Sequence, residues 1–242
     1  MQKQINFGKR LLRILKQNVN IVCVCVGTKY TKEHVNRLYK MVERNCTLPF
    51  SFYCISDVQQ DVNTIFINKD LDLETYWWKI ELFNLDFEDP TLYLDLDVVV
   101  QNSIDYLFYK VDSTLKVIKG SDIGEHYPFD GTSDNILLIP PVSINTSMML
   151  FRPFEHKILY HAFLLNIDYN MIHYYGLDRF ICHNYENLSY FDFTSDYYHR
   201  AKGYLSDDKL DTGGLNFDPT RTICILSQCE DEHYKGLEKY FL

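Results

Sequence analysis

Thr91-Leu92-Tyr93-Leu94-Asp95-Leu96-Asp97-Val98-Val99-Val100 is a run of strand-forming residues in which two carboxylates stand two residues apart at the end of an apolar strand. Asp is disfavoured inside a strand, and a buried carboxylate without a partner is costly. A hard divalent cation, with the phosphate it brings, would account for that placement, because such ions take oxygen ligands. In an extended segment, residues two apart project to the same side, so Asp95 and Asp97 are expected to face one ion. The plainer alternative is a strand that ends in a polar turn.

The segments upstream tell what kind of sheet this strand joins. Asn20–Val26 is almost wholly apolar and reads as a strand covered on both faces, the habit of parallel sheets. A turn follows at Gly27-Thr28-Lys29-Tyr30. Thr31 then suits a helix N-cap, and Val35, Leu38, Tyr39 and Val42 recur at helical spacing. Phe50–Ile55 and Thr64–Ile67 read as two more strands. This βαβ-like order predicts an α/β protein with a parallel sheet and ligand chemistry at the strands' C-terminal ends. Both the Gly27–Tyr30 turn and the Asp95/Asp97 pair fall at such ends.

Beyond these, Tyr76–Leu85 reads as a helix stopped by Pro90, Val142–Phe151 as a strand, Glu155–Leu165 and Gly176–Asn184 as helices, and Thr222–Leu226 as a last strand. No linker separates two units, so residues 20–242 are taken as one domain. Its halves are 20–100 and 101–242, behind a basic amphipathic segment at 1–19.

Net charge is -9, which argues against a general nucleic-acid binder. Residues 1–16 are the exception, with Lys3, Lys9, Arg10, Arg13 and Lys16 and no acid. Phe7, Leu11, Ile14 and Leu15 line one face, a pattern suited to weak contact with an anionic membrane surface or to packing on the domain. The seven cysteines form no CxxC pair, and Cys23, Cys25 and Cys224 sit in apolar runs. They imply a reducing, cytoplasmic setting and no disulfide framework. The basic N-terminal stretch lacks the uninterrupted apolar segment of a secretory leader. His156 and His161 read as ordinary helix residues.

In order and motif, residues 20–230 resemble the GT-A glycosyltransferases, and among them the glycogenin-like family 8 group. Val26-Gly27-Thr28-Lys29-Tyr30 matches the segment that holds the nucleotide there, which implies donor contacts from Thr28 and Tyr30. Trp78-Lys79-Ile80-Glu81-Leu82-Phe83 resembles the family's Lys-bearing helix, and Asp95-Leu96-Asp97 its DxD motif. Asn145-Thr146-Ser147-Met148-Met149-Leu150-Phe151 is similar to the segment lining the donor-sugar pocket. Leu177-Asp178-Arg179 resembles a later Asp-Gln pair, with Arg179 in place of Gln.

The resemblance implies a single GT-A domain with a Rossmann-like, mostly parallel central sheet flanked by helices. It also implies transfer of a hexose from a nucleotide-diphospho-sugar, most often a UDP-sugar, to a saccharide or protein acceptor with retention of configuration. Asp95 and Asp97 would hold Mn²⁺ or Mg²⁺, Lys79 and Asp95 would contact the donor, Asn145 and Ser147 the sugar, and Asp178 the reacting centre. The family completes its metal site with a His after the last core strand. Here that strand runs into Ser227-Gln228-Cys229, and His233, six residues beyond Ser227, is the remaining candidate ligand. A non-catalytic nucleotide-sugar-binding scaffold is the alternative that this departure favours. A HAD-type phosphatase is a further one, since its nucleophile motif is also DxD, though that motif normally opens the fold. Residues 121–141 and 195–219 are expected to face the acceptor.

Overall fold

The computed structural model describes residues 18–120, 142–200, 218–226 and 237–241. The amphipathic stretch 1–16, the 121–141 segment and His233 lie outside the described residues.

Seven strands form the main sheet. They are β1 (Val19–Cys25), β2 (Phe50–Ser56), β3 (Asn63–Phe66), β4 (Thr91–Leu94), β6 (Leu115–Lys119), β7 (Ile144–Phe151) and β8 (Leu188–Tyr190), in the order β3-β2-β1-β4-β7-β6-β8. The first four run parallel. β7 is antiparallel to both β4 and β6, and β8 is parallel to β6. A smaller sheet joins β5 (Val99–Val100), β10 (Ile223–Leu226) and β9 (Tyr197–Arg200) in the order β5-β10-β9. β9 falls inside the 195–219 stretch expected to be acceptor loop.

β1 is buried on both faces, as its almost wholly apolar run requires. Val19, Ile21, Cys23 and Cys25 pack toward helix α1 (Lys32–Asn45) and its Val35, Leu38, Met41 and Val42. Val22 faces a second core built from Trp77, Phe83, Phe163 and Phe180. Six cysteines, Cys23, Cys25, Cys46, Cys54, Cys182 and Cys224, are free thiols. Thr31 caps α1, with a reciprocal capping box completed by His34.

Three expectations need correction. The Asp95–Asp97 segment is not extended: β4 ends at Leu94, directly before the pair, the chain turns with Val98 N–H donating to the Asp95 carbonyl at 3.4 Å, and Val99–Val100 joins the smaller sheet. Leu92, Tyr93 and Leu94 before the turn and Val99 and Val100 after it are all buried, yet they belong to two different sheets, which period reading cannot separate. The Tyr76–Leu85 helix is a 3-10 helix, Thr75–Asn84, whose Trp77, Trp78, Ile80, Glu81, Leu82 and Phe83 are all buried, so it has no single apolar stripe. His156 is not an ordinary helix residue. It is fully buried at the end of a 3-10 turn, with Nδ1 on the Tyr185 hydroxyl.

Candidate active site

The C-terminal ends of β1 and β4 lie side by side in the sheet, so the turns that follow them share one pole. The first is built on Gly27, whose φ of 78° is left-handed; a Cβ there would also meet the Thr75 methyl at 2.8 Å. Thr28 and Lys29 stand exposed on this turn, and Tyr30 is half-buried. The Cys25 thiol donates to the Tyr30 carbonyl at 3.7 Å, and the Tyr30 ring sits edge-on to His34 at 5.3 Å. The Tyr30 hydroxyl donates to Asp97 Oδ2 at 3.1 Å. Tyr30, expected to meet the donor, therefore also orients the second carboxylate of the DxD.

Asp95 ends β4. Its N–H donates to the Ser147 carbonyl of β7 at 2.9 Å, the last rung before the turn. Its carboxylate takes the Lys79 ammonium at 2.7 Å on Oδ1 and 2.9 Å on Oδ2. The buried Tyr93 hydroxyl donates to the same Oδ1. Burial alone would lower the Lys79 pKa, but the carboxylates of Asp95, Asp178 and Asp97 outweigh it and raise it, so the side chain is a firm cation. Burial, then the charge of Asp95, pushes the Tyr93 hydroxyl well above its ordinary range, which keeps it a donor.

Asp178 stands in the first turn of helix α5 (Leu177–Asn184; α2–α4 are Asp105–Phe108, Lys157–Leu164 and Ile167–Tyr174). It accepts from the Thr146 N–H at 3.2 Å and from the Thr146 hydroxyl. Burial raises its pKa, against the pull of Lys79 and Thr146. Neighbouring Asn145 is buried, and its carboxamide oxygen accepts the Ser147 N–H at 2.8 Å, so part of its capacity is spent on the backbone. Ser147 is half-exposed at the same strand position that bonds Asp95.

The structure thus draws Tyr30, Lys79, Asp95, Asp97 and Asp178 into one electrostatic unit, with Asn145 and Ser147 on the adjoining strand. Tyr93 and Thr146 were missed by the sequence reading. Tyr93 carried a signal, since it precedes Asp95 by two on the same strand and faces the same way. Thr146 carried none, because its partner is 32 residues away.

The donor set at Asp95 and Asp97 is carboxylate oxygen, suited to Mg²⁺ or Mn²⁺. Among the described residues no three His, Cys, Asp or Glu side chains converge as a cage. That fits a cation held by one or two carboxylates that completes its shell with water and substrate phosphate.

No protein-family profile and no curated protein sequence matches the chain. Solved structures do. The galactosyltransferase LgtC, in complex with donor and acceptor sugar analogues, superposes with a TM-score of 0.61 at 13% identity over 91% of this chain and 93% of its own. The glycosyltransferase GlyE of Streptococcus pneumoniae TIGR4 gives 0.59 at 14% identity over 94% of this chain and 61% of its own. The bifunctional glycosyltransferase WbbM gives 0.62 at 7% identity over 92% of this chain and 50% of its own. With its mostly parallel sheet, flanking helices and polar cluster at the strand ends, the chain has the fold of the GT-A glycosyltransferases.

Proposed function

We propose that the chain transfers a hexose from a nucleoside diphosphate sugar, most simply a UDP-sugar, to a saccharide or protein acceptor. The observation that carries this reading is the convergence of Lys79 with Asp95, Asp97 and Asp178 at the sheet's C-terminal pole. Such a pole presents fixed charge where a diphosphate leaving group needs neutralising. Asp95 and Asp97 hold the divalent cation in this reading, with His233 as the further ligand. A bound Mn²⁺ or Mg²⁺ supplies Lewis-acid stabilisation of the departing diphosphate.

The remaining roles are those the family 8 resemblance implies, and the chemistry of each residue suits its role. Tyr30 offers its ring to the base while its hydroxyl holds Asp97. Thr28, exposed on the turn, reaches the nucleoside, and Lys79 the phosphates or the sugar. Asn145 and Ser147 bond sugar hydroxyls. Asp178, kept in place by Thr146, faces the positive charge that develops at the anomeric carbon as the bond to diphosphate breaks. Retention of configuration is the outcome that the family 8 resemblance implies.

The test is thermal melting with UDP-glucose, UDP-galactose, UDP-N-acetylglucosamine and GDP-mannose, each with Mn²⁺ or EDTA, followed by release of nucleoside diphosphate. A donor should raise the melting point in a metal-dependent way. Asp97→Ala should abolish both that shift and turnover. Metal-dependent donor binding that survives in this variant would overturn the site.

A further inference from the structure

Two exposed tyrosines border the pole where Lys79 meets Asp95 and Asp178. The 3-10 helix Thr75–Asn84 starts against the Gly27 turn, where a Cβ on Gly27 would meet the Thr75 methyl. Side chains three apart eclipse in a 3-10 helix, so Tyr76 stands in line with Lys79, one turn or about 6 Å along the axis. Exposure rises along that line: Leu82 is fully buried, the Lys79 side chain is 20% exposed and Tyr76 is 41% exposed. Tyr76 therefore shares a helix face with the ammonium on Asp95, one turn nearer to solvent. The second tyrosine comes from α5's side. The Trp77 ring packs edge-on to Phe180 of α5 at 6.4 Å, so the 3-10 helix and α5 abut. Tyr175 stands three residues before Asp178 at the entry to α5 and is 64% exposed. The two phenols are within electrostatic reach: burial, the Glu74 carboxylate and then Tyr175 push the Tyr76 hydroxyl up to about 12.

Tyr175 sits there against its own backbone preference. Its φ is 52°, and among the described residues it is the only one besides glycine with a positive φ. The position closes α4, with its N–H donating to the Met171 carbonyl at 3.2 Å, a place where glycine or asparagine is ordinary. A bulky side chain is disfavoured in that region. The exposed ring gains no burial in return, so packing does not explain it; strain of this kind collects at sites of function. What the rings meet follows from their neighbours. In the transferase reading Lys79 and Asp178 mark the diphosphate and the anomeric carbon, so the second substrate has to come to this border. Asp70, Asp72 and Glu74 lead into Tyr76, all exposed, with no basic residue among 70–76. That charge turns away a phosphorylated or acidic molecule. Phenol faces beside hydroxyls and carboxylates suit an uncharged ring that carries hydroxyls.

We propose that Tyr76 and Tyr175 form the acceptor subsite, and that the acceptor is an uncharged saccharide whose ring stacks on these two phenols. That the bound saccharide is the acceptor rests on the transferase reading. Its binding to the two rings does not.

The experiment is fluorine NMR of the full chain labelled with 3-fluorotyrosine, the two resonances being assigned with Tyr76→Phe and Tyr175→Phe. Lactose, maltose, cellobiose and N,N′-diacetylchitobiose are titrated in turn, with and without UDP and Mn²⁺. One of these disaccharides should shift both resonances. Tyr175→Gly removes the ring and the left-handed strain together, so the melting point should hold while that disaccharide, followed at Tyr76, binds at least about tenfold more weakly. Melting of the parent with UDP-sugars and Mn²⁺ is read in parallel. The subsite is overturned by no shift at either tyrosine with any of the four disaccharides, whatever the donors do, or by Tyr175→Gly binding the disaccharide as tightly as the parent. Shifts at both tyrosines with no response to any donor would uphold the saccharide site and remove the transferase reading.

Discussion

The Tyr30 hydroxyl donates to Asp97 Oδ2 at 3.1 Å, joining the turn after β1 to the carboxylate pair after β4. The residue that offers a ring to a base thus also fixes a candidate metal ligand. Base binding and cation binding are coupled through that one side chain, and such coupling is reciprocal. Tyr30→Phe keeps the ring and removes the link. We expect uridine alone to bind the variant as it binds the parent, while Mn²⁺-dependent affinity for a UDP-sugar falls about tenfold, the worth of one charge-assisted hydrogen bond. Calorimetric titration with uridine and with UDP-glucose plus Mn²⁺ separates the two. An equal loss for both ligands would mean that the hydroxyl matters only to the turn's shape.

Gly27 is the other fixed point of the same turn. Its φ of 78° disfavours any residue with a Cβ, and that atom would lie 2.8 Å from the Thr75 methyl. Gly27→Ala should cost about 1–2 kcal/mol from the backbone alone. In a chain of this size that is a melting-point drop of roughly 2–8 °C. Adding Thr75→Ser removes the methyl clash and should recover only part of the loss, since the backbone strain stays. Full recovery in a thermal melt would assign the whole effect to the clash.

His156 gives the fold a pH dependence of predictable sign. It is fully buried, and burial lowers its pKa to about 4 from an ordinary value of 6.5. Between those values the unfolded chain binds a proton that the folded chain does not, so stability falls as pH drops from about 6.5 to 4 and levels off below. The full effect is up to about 3 kcal/mol. His156→Leu lacks this proton and should show a shallower loss of melting temperature across that window, whatever its stability at pH 8. Parallel slopes for the two proteins between pH 4 and 6.5 would assign the acid sensitivity to other groups.

Much of the fold was legible because local signals and tertiary demands agreed. The buried run Val19–Cys25 stands within a residue of its expected bounds, and α1 begins directly after its expected cap, Thr31. The agreement failed where one apolar stretch serves two layers. Leu94 and Val99 look alike in sequence, yet they belong to different sheets, and the turn between them is what aims Asp95 and Asp97. At the site, charged residues announced themselves, because an Asp in a strand needs a reason. Their supports were harder to see. Tyr93 was readable from strand period, whereas Thr146 holds Asp178 from a strand remote in sequence, and β9 lay in a stretch assigned to acceptor loop by its position alone.

Lys79 stands among Asp95, Asp97 and Asp178, and that arrangement makes a distinctive prediction about metal. Without the ammonium, the Asp95 carboxylate loses its contacts at 2.7 and 2.9 Å and stays partly buried near two others. Lys79→Ala should lower stability in EDTA by roughly 1–3 kcal/mol, the cost of leaving such a group uncompensated. A divalent cation on Asp95 and Asp97 would replace the missing charge, so Mn²⁺ should stabilise the variant by more than it stabilises the parent. Turnover should not follow stability, because the cation cannot also stand where the ammonium meets the donor. We expect a loss of at least about 100-fold in rate, comparable to removing one preorganised donor from a transition-state site. Paired thermal melts in Mn²⁺ and in EDTA decide the electrostatic part. If Mn²⁺ raises the melting point of parent and variant equally, the ammonium and the cation do not share Asp95, and the carboxylate pair is not the metal site.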